Sequence, residues 1–130
     1  MVKTLFLIAM LYMHIVDDYR HQGVLASMKQ QNWWEENAPD DMYKKDYLVA
    51  LYEHAFSWDV AVHIPVVIYW VMRGYATDVV SFLLMFASMW MIHALVDNEK
   101  ANRYTINLVK DQTIHIVQIV VAWAYYSFLC

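Results

Sequence analysis

Four apolar runs divide the chain, at about residues 1–16, 55–72, 79–96 and 113–129. A polar stretch, about 20–53, separates the first from the second. A shorter one, Lys100 to Lys110, separates the third from the fourth. The runs are too long for ordinary strands, and with two Gly and two Pro the chain offers few turns for a multi-stranded sheet. The pattern predicts an all-α fold: four main helices in two hairpins, in a single domain over 1–130. Short interfacial helices are expected in the polar connection. Val24, Leu25, Met28 and residues 31–34 outline one of them, and the Trp33-Trp34 pair suits a membrane interface. The turn around Pro39 follows, with Asp40 or Asp41 as cap for a helix through Lys44, Tyr47 and Leu51 that runs on into the second apolar run. Pro65 predicts a kink or local break in that run. Arg73-Gly74-Tyr75 predicts a tight turn, and Thr77 or Asp78 a cap for the third helix.

Composition turns this helical reading into a polytopic membrane protein. Hydrophobic residues make up 61%, against roughly 45–50% in an ordinary soluble domain. The mean hydropathy of +0.30 is modest because the polar connection dilutes it. The third run carries no charge before His93 and is long enough to cross a hydrocarbon core of about 30 Å. The first run resembles a signal peptide in its Lys3 and apolar stretch. Asp17-Asp18-Tyr19-Arg20 follows it where a small-residue cleavage site would stand, so a retained helix to about Tyr19 is expected. With four spans, Arg20, Lys29, Lys44, Lys45, Lys100, Arg103 and Lys110 share one side, and Lys3 and Arg73 take the other. The positive-inside rule then puts the long connections in the cytoplasm and both termini outside. A net charge of −4 without a basic patch argues against nucleic acid as a partner. The single cysteine, Cys130, allows no intrachain disulfide and no cysteine-based zinc motif.

The ionisable residues at the ends of the runs carry the chemistry. His14 and Asp18 lie four apart, as do His93 and Asp97, and Asp111 and His115; residues at that spacing share one helix face. His54 precedes the second run. The predicted topology brings all of these to one membrane face. A single His-x3-Asp pair is ordinarily a surface pair of about 0.3–0.5 kcal/mol, but ionisable groups repeated at one level of a membrane bundle are costly and functional by default. Neutral imidazoles and carboxylates suit a divalent metal, most naturally zinc. The candidate ligands are His14, Asp18, His54, His93, Asp97 and His115, enough for one open site or a carboxylate-bridged pair. Asp111 and Gln22 are the catalytic candidates, Asp111 as base or orienting group, and Gln22, with Gln112, orienting the imidazoles. Asp59 and His63 sit deeper and are expected to form a helix–helix contact. Ser57, Ser81 and Ser88 stand in no nucleophile motif, and there is no phosphate-cradling glycine loop.

The combination His14-x3-Asp18-x3-Gln22, His54, His93-x3-Asp97-x2-Lys100 and Asp111-Gln112-x2-His115 resembles a family of small bacterial and phage membrane proteins known as domain of unknown function 3307. The resemblance covers nearly the whole chain, and the insertion from Trp33 to Tyr47 looks like its phage-type members. It implies a polytopic helical protein of the bacterial inner membrane, possessed of the same polar cluster. It brings no activity with it, and a likeness to membrane-bound metal-dependent hydrolases is analogy.

These readings lead to metal-dependent hydrolysis of a lipid-like or phosphorylated substrate at the membrane face. One alternative is a non-enzymatic phage or bacterial membrane protein whose cluster is structural or binds a partner. The other is a soluble bundle with an internal metal site. The expected partners are membrane lipid, with a homo-oligomer and a host protein as further options.

Overall fold

The computed structural model describes residues 1–74 and 78–128, and among them the fold is all-α with six helices. Helix α1 (Val2–Val16) continues into one π-helical turn, Asp17–His21. The polar connection holds α2 (Leu25–Met28), α3 (Gln31–Asn37) and a 3-10 turn, Asp41–Tyr43. Three long helices follow: α4 (Asp46–Arg73), α5 (Val79–Ala101) and α6 (Leu108–Phe128). Tyr75 and Thr77, expected in the turn and at the cap, lie outside the described residues, as do Leu129 and Cys130.

The helices outrun their apolar cores. The end of the polar stretch joins α4, which is 28 residues long and passes Pro65 without interruption. The expected break does not occur: a proline removes only one backbone donor, and here the residue is buried with Val62 and Val66 inside the bundle. Likewise α5 runs on to Ala101 and α6 starts at Leu108, so His93, Asp97, Asp111 and His115 sit inside helices rather than beyond their ends. Asp78 caps α5 by accepting from the Val80 amide. Asp40 caps the 3-10 turn, through Met42, and not α4. Gly74 closes α4 at φ +67°, a left-handed position that favours glycine.

The four long helices form a ring. Helix α4 packs on α1 and α5, and α6 completes the ring by packing on the same two. Both expected hairpins, α1 with α4 and α5 with α6, are therefore present. The interior away from the polar end is apolar and aromatic: Phe6, Met10, Trp58, Val62, Val66, Tyr69, Met89, Ile119, Ala122 and Tyr126. Phe6 stacks on Tyr69 with ring centres 4.7 Å apart. His63 ties α4 to α6, its Nε2 3.1 Å from Tyr126 Oη, while its Nδ1 lies 2.8 Å from the Asp59 carbonyl. Among the described residues, two helical stretches are long and apolar enough to cross a membrane, Asp41–Arg73 and Val79–Ala101.

Candidate metal centre

At one end of the ring, every long helix turns a polar side chain inward. The π-helical turn after α1 buries Asp17 and carries Asp18 inward; turns of this kind concentrate at functional sites. Helix α4 brings His54, α5 brings His93 and Asp97, and α6 brings Asp111 and His115; all five are at most 1% exposed. Trp58 forms the floor between this cluster and the apolar core. Its ring stacks on His93 at 4.1 Å, and His93 in turn faces His115 at 4.0 Å.

His54 Nε2 is the junction of the first half. It lies 3.2 Å from Asp18 Oδ1, 3.3 Å from Asp97 Oδ2, 3.3 Å from His93 Nε2 and 3.2 Å from Gln22 Nε2. One ring nitrogen cannot make hydrogen bonds to four neighbours at once. Gln22 also donates to Asp18 Oδ1 at 2.9 Å, so it orients this carboxylate, where the sequence had suggested a role in orienting the imidazoles. Asp18 lies beyond α1. Burial alone would push its carboxyl up, but hydrogen bonding with His54 and Gln112 holds it well below the usual carboxylate range.

His115 governs the second half. The Gln118 amide donates through Nε2 to the Met89 carbonyl at 3.2 Å, which leaves Oε1 facing His115 Nδ1 at 3.0 Å. An oxygen there requires a proton on Nδ1. In the neutral ring the Nε2 lone pair then points at two carboxylate oxygens, Asp97 Oδ1 and Asp111 Oδ1, each 3.3 Å away. Three lone pairs converging in a buried site repel one another unless a cation lies among them. A proton on Nε2 serves one carboxylate well; a metal ion serves both. Asp111 Oδ1 has no aligned hydrogen bond, and neither has His93 Nδ1.

Two lysines supply the charge already present. Lys29 Nζ reaches Asp97 Oδ2 at 2.6 Å and is itself buried; Lys100 Nζ reaches Asp111 Oδ2 at 2.6 Å. Three carboxylates, of Asp18, Asp97 and Asp111, thus face two ammonium groups, leaving one net negative charge before any imidazole is protonated.

The donor set fits a divalent ion. Two groups of three ligand atoms, from Asp18, His54 and His93 and from His93, Asp97 and His115, each lie within 4.8 Å of one another. For tetrahedral zinc with bonds of about 2.0–2.1 Å, neighbouring ligand atoms stand roughly 3.3 Å apart. That is the spacing found around His54 Nε2 and His115 Nε2, and it is long for a charge-assisted hydrogen bond, about 2.7–2.9 Å. The Gln118 bond to His115 Nδ1 is the kind of support that metal-bound imidazoles need. Gln118→Leu is therefore expected to weaken metal binding by about 10–100-fold, read by competition with a chelator, with the helical content unchanged.

Of the six candidate ligands, the structure gathers Asp18, His54, His93, Asp97 and His115, with Asp111 and Gln22 against them. His14 belongs to neither three-ligand group. Trp58 Nε1 donates to its Nδ1 at 2.7 Å, and Asp18 Oδ2 is 3.8 Å from the same nitrogen. Ser57, which had no visible context, donates to Asp17 at 2.9 Å. Sequence reasoning missed the roles of Lys29, Trp58 and Gln118. For Gln118 a signal existed: an amide in an apolar run, three residues after a histidine, lies on that histidine's face.

The fold and site define a helical protein with buried His/Asp groups that could hold a metal ion, and with two helices able to cross a membrane. No family model, curated protein or solved structure matches the chain.

Proposed function

We propose that the chain is an integral membrane protein carrying a divalent-metal centre, with zinc as the natural ion, that hydrolyses a lipid-like or phosphorylated substrate at the membrane face. In this reading α4 and α5 cross the bilayer by their own length and apolar character, and α1 and α6 cross packed against them, with the connections cytoplasmic and the termini outside. Membership of the domain of unknown function 3307 family is part of this proposal. The apolar surface supports the membrane: only 17% of the apolar stretch of α5 is buried in the bundle, and Leu83, Leu84, Met91, Ile92 and Leu95 face outward. A core helix of a soluble bundle would be covered.

The observation that carries the metal is His115, held by Gln118 with its Nε2 lone pair toward two carboxylates. Asp18, His54, His93, Asp97 and His115 would be the ligands. A bound divalent ion supplies Lewis-acid activation of water near neutral pH. The chain's own groups do the rest. Asp111, its Oδ2 held by Lys100 at 2.6 Å and by Gln112 at 3.1 Å, turns Oδ1 to the point that the His115 lone pair faces, where it would act as a base beside the ion. Gln22 orients Asp18, and Trp58 excludes water from below.

A metal-free network is the second reading, favoured by the two lysine pairs; with His115 protonated, it neutralises the three carboxylates. Metal content by mass spectrometry, on protein purified without a His tag, decides between them. The expected result is about one ion per chain, lost in both His93→Ala and His115→Ala while both stay folded. No metal in the wild type after incubation with zinc or manganese would leave the cluster as a structural network.

A further inference from the structure

The cluster is closed on the side of the polar connection. Lys29 enters from there, and Asn102 at the end of α5 fastens the connection in place. Its Nδ2 donates to the Lys29 carbonyl at 3.1 Å, and its Oδ1 accepts from the Gln31 amide at 2.7 Å. Between α1 and α6 the situation is reversed: the surface opens in a cleft of about 560 Å³, within the roughly 300–1,000 Å³ typical of ligand pockets. Leu11, Ile15 and Ile116 form apolar walls, and His14 and Gln112 supply polar groups. Ile15 and Ile116 are exposed, so these walls face whatever surrounds the bundle.

The polar lining is one hydrogen bond from the cluster. Gln112 Nε2 donates to Asp18 Oδ2 at 2.8 Å and to Asp111 Oδ2 at 3.1 Å. His14 is set differently from the other histidines. The indole of Trp58 can only donate, so His14 Nδ1 accepts, and the neutral ring carries its proton on Nε2. An imidazole so fixed is a preorganised donor rather than a ligand with a free choice of nitrogen. The cleft thus sets one donor, His14 Nε2–H, between apolar walls, beside a centre whose three carboxylates outnumber its two ammonium groups by one until a divalent ion turns the balance positive.

Resting on the metal-centre reading, we infer that this cleft is the entrance for substrate, and that it admits from the bilayer a single-chain amphiphile with an anionic, oxygen-rich headgroup such as an alkyl phosphate. The chain lies along Leu11, Ile15 and Ile116. The headgroup accepts from His14 Nε2–H in place of the Gln112 side chain, which is the hydrogen-bond partner of His14 in the free protein. His14 is then a substrate-binding residue, and its place outside both ligand groups follows from that role. A water-soluble anion would have no use for the apolar walls.

The test is equilibrium binding of tritiated dodecyl phosphate to the protein in phosphatidylcholine nanodiscs, with Ile116→Trp and Ile15→Trp filling the cleft from opposite walls. Both side chains are exposed, so neither change disturbs the packed interior. Saturable binding is expected in the wild type, weakened at least about tenfold in each variant, with metal content unchanged. A large excess of inorganic phosphate should not displace the probe. Absence of saturable binding, equal binding in both tryptophan variants, or full displacement by inorganic phosphate would each overturn the entrance. A wild type without metal that still binds the probe in a cleft-dependent way would sink the metal reading and support the entrance on its own.

Discussion

Asp97→Asn is expected to abolish metal binding and to cost more stability than any other conservative change in the cluster. Asp97 is the one carboxylate shared by both halves: Oδ2 is 3.3 Å from His54 Nε2 and 2.6 Å from Lys29 Nζ, and Oδ1 is 3.3 Å from His115 Nε2. The asparagine keeps the volume and removes the charge. The Lys29 ammonium is then buried without its counter-ion, a situation that costs about 3–5 kcal/mol. Thermal unfolding in detergent reads that loss, and mass spectrometry reads the metal. The double variant Asp97→Asn with Lys29→Met separates the two effects. It removes the stranded ammonium as well, so most of the stability should return while the metal stays absent. If Asp97→Asn alone retains a full complement of metal, Asp97 is not a ligand and the bridging role is wrong.

What the sequence could show of this centre was what helical periodicity carries. His93 with Asp97 and Asp111 with His115 are visible as face-sharing pairs because four residues make about one turn. The order of the helices then brings the pairs to one end. The boundaries were less legible: polar residues continue α4, α5 and α6 past their apolar cores, and a hydropathy pattern cannot register a helical turn that lacks apolar residues. Lys29 was out of reach for a different reason. It follows a four-residue helix in the polar connection, where no period predicts direction, and its partner Asp97 is 68 positions away. His14 shows the same limit in reverse. Its spacing to Asp18 matches that of His93 to Asp97, and only Trp58 on another helix, 44 positions on, fixes its Nδ1 as an acceptor. Local spacing establishes which residues share a face; which atom of a histidine is free depends on a neighbour that tertiary packing chooses.

Lys29→Met should tighten metal binding by at least about tenfold, equivalent to about 1.4 kcal/mol. The ammonium and the ion would share Asp97 Oδ2, which Lys29 already holds at 2.6 Å. A dication and an ammonium about 4 Å apart repel by roughly 8 kcal/mol at an effective dielectric near 20. Retreat of the lysine chain relieves most of this, but retreat means giving up the buried pair and loosening the connection that Asn102 fastens to α5. Metal binding in the wild type must offset that cost; in the variant nothing has to leave. The same substitution strands the Asp97 carboxylate in the metal-free protein, so the variant should be less stable than the wild type without metal and gain more on loading. Chelator competition gives the affinities, and melting with and without zinc gives the stabilisation. Lys29→Arg preserves the charge and should bind metal no more tightly than the wild type. Equal affinity in wild type and Lys29→Met would show that the lysine does not compete with the ion. Weaker binding in the methionine variant would mean that the ammonium supports the loaded centre, and that its contact with Asp97 persists when metal is bound.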